Sequence, residues 1–116
     1  MPLSKGEKIT ALPKTLDVTR QMLEASREHL LTLEAAGARP AGLDQETAQA
    51  LSQIFRNLNL VAGIFGRFCQ NWKQGPLTQA QEGQINDVEK GLLELERLHK
   101  QIMFLLQTLK ERPETG

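Results

Sequence analysis

The chain is short of thiols, of net charge and of long apolar runs, and each shortage removes a class of protein. A single cysteine, Cys69, cannot close an intrachain disulfide. Its apolar neighbours make it read as a small buried hydrophobe in a reducing compartment, so a cytoplasmic location is expected. Fourteen basic and fourteen acidic residues cancel to a formal charge of zero. No sequence-wide field then draws the chain to phosphate, and neither nucleic acid nor a membrane is an expected partner. The densest apolar stretch, residues 58–68, is interrupted by Asn59 and Arg67, and it is well short of the roughly 20 residues that span a bilayer. No secretory leader is apparent at the start of the chain. Gly-rich phosphate loops, Cys-x-x-Cys pairs, internal repeats and strand-like alternation are also missing from the sequence.

What is present is helical periodicity. Residues 51–72, LSQIFRNLNLVAGIFGRFCQNW, hold three of the four Phe, the only Cys and the only Trp. An apolar seam runs through them: Leu51, Ile54 or Phe55, Leu58, Val61 or Ala62, Phe65, Phe68 or Cys69, and Trp72. Recurrence every three to four positions without an internal Pro predicts an amphipathic helix. Leu60 and Ile64 fall outside that seam, so the apolar arc is wider than one partner helix would cover, and a second covering element is implied.

The boundaries follow from capping chemistry. Asp44 offers a side-chain acceptor to the free N–H groups of a helix running from about Gln45 to Lys73, and Gly75-Pro76 stops it. Thr78 followed by Gln81 is a capping-box pattern and predicts a third helix to about Glu111. Its seam is the cleanest of all: Ile85, Val88, Leu92, Leu95, His99, Ile102, Leu106, Leu109. A connection of only a few residues makes the second and third helices an antiparallel hairpin. A first helix is expected from about Leu12, with Pro13 in its first turn and Gly37 past its end. Its seam positions Thr19 and Ser26 are polar, so it reads as the weakest of the three, a lid on the other two. The expected fold class is therefore all-α: a long antiparallel hairpin with a third, N-terminal helix, a three-helix bundle that could dimerise into a larger one. One domain is assigned to residues 11–112, between disordered tails at 1–10 and 113–116.

Residues that could carry chemistry are few. Glu96 and His99 have the Glu-x-x-His spacing of di-iron bundles, because residues three apart on a helix point the same way. A second copy of that motif is missing, since Ser26 stands three residues before His29 and Glu28 directly precedes it. A metal- or small-ligand-binding bundle using His99 and Glu96, with His29 or Cys69, is thus the alternative reading, and a core His bonded to a neighbour is the default. Cys69 lacks the electropositive surroundings of a nucleophile, so no enzyme activity and no cofactor are expected.

Glycines and surplus apolar residues carry the favoured reading. Ser52, Arg56, Asn59, Gly63, Gly66 and Gln70 form a stripe on the second helix. Two glycines inside a helix cost about 1 kcal/mol each relative to Ala; the stripe reads either as a solvated face that tolerates them or as a shallow notch where the first helix or a partner comes close to the backbone. In the third helix, Met103 and Phe104 lie in an apolar run, IMFLL, that faces all sides and implies burial on all sides. The expected function is a helical protein–protein interaction module, a small subunit, adaptor or chaperone. A protein partner or a homodimer would be bound through Arg56, Asn59, Gly63, Gly66, Met103 and Phe104.

Overall fold

A computed structural model describes residues 8–37 and 44–110, with the side chains of residues 109 and 110 left out. Three helices make up the fold: α1 (Leu12–Gly37), α2 (Gln45–Lys73) and α3 (Gln79–Lys110). There is no strand among the described residues. The all-α bundle expected from periodicity is the fold observed. Ile9–Ala11 form a 3-10 turn ahead of α1, and Ile9 packs on the core there, so order begins within the stretch assigned to the N-terminal tail. The rest of that tail, the turn after Gly37 and the C-terminal tail lie outside the described residues.

Local chemistry sets the helix ends as the caps predict. The Asp44 carboxylate accepts from Thr47 N at 2.7 Å and from the Thr47 hydroxyl at 3.0 Å. Those bonds favour the ionised form and hold the carboxyl below its usual value. Thr78 and Gln81 close a reciprocal box: Thr78 N donates to Gln81 Oε1 at 2.9 Å, and Gln81 N donates to Thr78 Oγ1 at 3.1 Å. Between the two helices, Gln74 N and Gly75 N bond back to Asn71 O and Trp72 O, ending α2 before Pro76.

The contacts fix the helix directions. Asn59 meets His99 and Lys73 meets Glu89, so α2 and α3 are antiparallel. Thr19 meets Gly91 and Ser26 meets His99, so α1 and α3 run parallel. The most extensive helix pairing is α1 on α3, and α1 touches α2 far less. α1 thus lies along α3 more than across both helices of the hairpin. Its small polar seam residues let it come close to α3: a β-carbon built on Gly91 would lie 2.7 Å from Thr19 Cγ2 and 3.4 Å from Leu23 Cδ1. The hydroxyls of Thr15 and Thr19 are satisfied by the carbonyls of Ala11 and Thr15, at 3.0 and 2.8 Å, so neither buried side chain strands a polar atom, and Thr19 presents its methyl group to α3.

The core is divided. At one end Leu33 and Ala36 of α1, Ala48, Leu51 and Phe55 of α2, and Ile102 and Leu106 of α3 form a three-helix cluster. At the other, Leu12 and Leu16 meet Cys69 and Trp72, with Ile85 and Val88. Between them the buried side chains are Thr19, Met22 and Ser26 of α1 and Leu95, Leu98 and His99 of α3. No residue of α2 between 56 and 68 is buried. The most apolar stretch of the sequence is thus pinned at both ends and half open along its middle.

Candidate functional site

The open middle of α2 forms one wall of a groove of 910 Å³ whose other wall is α3. On α2 the lining is Asn59, Ala62, Gly63, Gly66 and Gln70, the stripe that carries the two glycines. On α3 the base is Leu92, Leu95 and His99, and the rim is Glu89, Leu93, Glu96, Lys100 and Met103. A β-carbon placed on Gly63 or Gly66 would meet no atom within 4 Å. Open space therefore surrounds these glycines among the described residues, and α1 does not occupy it; α1 packs at Gly91 instead.

Of the six residues picked from the sequence, Asn59, Gly63, Gly66 and Met103 line this groove. Arg56 is exposed one turn before Asn59 and outside the lining. Phe104 is 71% exposed and also lies outside. Burial of the IMFLL run on every side is not found among the described residues: Ile102 and Leu106 are buried, Leu105 is half-buried, and Met103 and Phe104 remain exposed because no described helix covers those faces. Leu60, Ile64 and Leu93 add to the uncovered apolar surface.

Beneath the groove, three helices share one polar chain. His99 Nδ1 lies 2.5 Å from Asn59 Oδ1, and His99 Nε2 lies 3.2 Å from Ser26 Oγ. An amide oxygen only accepts, so Nδ1–H donates to Asn59 and Nε2 accepts the Ser26 hydroxyl in the neutral ring. Desolvation holds the His99 pKa below its ordinary value and favours that neutral form. Phe55 shields the ring edge-on, with centroids 5.3 Å apart, and its other edge contact is His29 at 5.5 Å. No buried side-chain nitrogen or oxygen among the described residues is left without a partner.

A hydroxyl, an imidazole and an orienting amide in series resemble the wiring of an acyl-transfer site. Accessibility separates the two cases. Ser26 is fully buried in the α1–α3 seam, with its hydroxyl turned to His99, so a substrate carbonyl cannot reach it. The same bonds occupy both ring nitrogens that a metal would need. Glu96 is exposed and pairs with Lys100 at 3.9 Å. Cys69 sits in the cluster at the far end, its thiol pushed up to about 11 by burial and by the Glu89 carboxylate. Among the described residues no group of three His, Cys, Asp or Glu is placed to hold a metal ion. The triad is a structural tie that joins the three helices where the apolar core is interrupted.

Sequence reasoning missed the partnership of Ser26 with His99, and the residues Leu93 and Lys100. Ser26 and His99 are each visible as seam defects, but the link needs the parallel register of α1 on α3. No described helix is long and apolar enough to cross a membrane. No family description, no curated protein and no solved structure matches the chain.

Proposed function

We propose that the chain is a helical protein–protein interaction module, a small subunit, adaptor or chaperone, that takes an apolar helix into the α2–α3 groove and performs no catalysis. The observation that carries this reading is the pair Gly63 and Gly66. Each gives up helical stability, and nothing among the described residues fills the space they leave. An α-helix laid there would meet an apolar base of Leu92 and Leu95, and it would cover the Ala62, Gly63 and Gly66 side of α2. Asn59, Gln70, Glu96 and Lys100 would give the polar contacts that fix its register. A single buried thiol suits a reducing setting, and a cytoplasmic location belongs to this reading.

The test is binding of the apolar dye 1-anilinonaphthalene-8-sulfonate to dilute protein, compared with Gly63→Leu. A leucine there has open space and narrows the groove without disturbing the core. Dye emission that rises with wild type and is lost in Gly63→Leu is the expected result. Absence of dye binding to dilute wild type contradicts the reading.

A further inference from the structure

Four exposed or rim residues of α3 are spaced three, four and three apart: Leu93, Glu96, Lys100 and Met103. Such spacing keeps them on one face of the helix. In chain order the stripe reads apolar, acidic, basic, apolar. Reversed, it reads apolar, basic, acidic, apolar. We infer that the α2–α3 groove is closed by a second copy of this chain, related by a two-fold axis that crosses α3 near residue 98. This rests on the reading of the groove as a helix-docking surface and names its occupant.

In an antiparallel contact about that axis, Glu96 faces Lys100 of the second copy, and Lys100 faces the second copy's Glu96. Leu93 and Met103 oppose one another in the same way. The charge pattern is therefore complementary to itself, which is the requirement of a two-fold interface. Within one chain Glu96 and Lys100 are 58% and 79% exposed and only 3.9 Å apart at closest, so both remain available for a partner. Zero net charge removes any long-range repulsion between copies.

Gly63 of α2 falls on the same axis, with Gly66 within one turn of it. The Asn59–His99 and Lys73–Glu89 contacts set the level of α2 against α3 and put residue 98 beside residues 60–64 of α2. The two-fold that pairs Glu96 with Lys100 therefore brings the Gly63 and Gly66 notch against its own copy. Missing β-carbons there allow close approach of the two α2 backbones. The result is a four-helix core made of both α2–α3 hairpins. Each α1 lies outside it, because Gly91, the residue it packs on, is nine residues from Lys100, about two and a half turns away and so on the opposite side of α3.

Sedimentation equilibrium over a wide concentration range tests this with Glu96→Lys, Lys100→Glu and the double exchange. All three substitutions fall on exposed positions and leave the core intact. Wild type is expected to reach twice the 13.0 kDa of one chain. Each single reversal replaces two attractions by repulsions and should weaken the dimer by about tenfold or more. The double exchange restores pairing, and the two single variants mixed together associate with each other. A dimer that ignores both reversals overturns the arrangement. A wild type that stays at 13.0 kDa overturns the second copy as occupant. If that monomer still binds dye through Gly63, the docking groove stands; if it does not, both readings fall.

Discussion

Replacing glycine by alanine at three helical positions should give opposite signs, and the difference follows from what each β-carbon meets. Alanine in a helix interior is favoured over glycine by about 1 kcal/mol. At Gly63 and Gly66 nothing stands within 4 Å of the new carbon, so each replacement should gain that full amount in the monomer, and the pair about 2 kcal/mol. At Gly91 the same gain is opposed. The new carbon would lie 2.7 Å from Thr19 Cγ2, about an ångström inside normal contact. Thr19 cannot turn aside without breaking its 2.8 Å bond to Thr15 O, worth about 1 kcal/mol. Pushing α1 outward instead has the usual overpacking cost of about 1–3 kcal/mol. The net expectation for Gly91→Ala is a loss of up to about 2 kcal/mol, in place of the gain at the other two positions. Thr19→Ser keeps the hydroxyl and removes the methyl, so Gly91→Ala made in that background should lose much less, and the cycle isolates the coupling. The assay is urea unfolding followed by far-UV circular dichroism, at dilutions where the chain is monomeric. Gly91→Ala as stabilising as Gly63→Ala would refute the close α1–α3 approach.

Other consequences concern the triad and the thiol. Ser26→Ala removes the donor to His99 Nε2 and leaves a buried acceptor, so unfolding in urea should show a loss of about 1–3 kcal/mol. Burial lowers the His99 pKa in the folded chain, so the unfolded chain takes up its proton first as pH falls. Stability is therefore complete above the unfolded value near 6.5 and declines below it. Urea midpoints measured between neutral pH and about pH 5 should fall, and His99→Phe should reduce that slope; equal slopes would rule out the assigned cause. Cys69 is fully buried, with its pKa raised to about 11. A disulfide reagent should modify it slowly at neutral pH and rapidly once urea opens the chain, and fast labelling of the native protein would mean that the Trp72 cluster is open.

Much of the fold is local and therefore readable. Asp44 and the Thr78–Gln81 box satisfy N–H groups within a single turn, so their residue types reveal helix starts without tertiary information. The α3 seam is legible for a related reason: Ile85, Val88, Leu95, Ile102 and Leu106 repeat at the helical period and are all buried. What escaped reading depends on register. Thr19 and Ser26 look like weak points of α1 until the parallel pairing places Gly91 and His99 opposite them, where small size and a hydroxyl are what the seam requires. Along α2, periodicity reports an apolar face but not whether the chain holds a helix to cover it. Residues 58–68 carry that apolar face, and none of them is fully buried. The groove glycines were traceable through their helical cost, whereas Leu93 and Lys100 sit in an ordinary exposed pattern with no such signal.

The central proposal is that the α2–α3 groove, which the described residues leave unfilled, is a working surface. The most direct test is thermal unfolding of Gly63→Leu together with its dye binding in dilute solution. The account predicts a melting temperature at or above that of wild type, because the side chain enters open space, and loss of the bound dye. A lowered melting temperature, or dye binding equal to that of wild type, would contradict it.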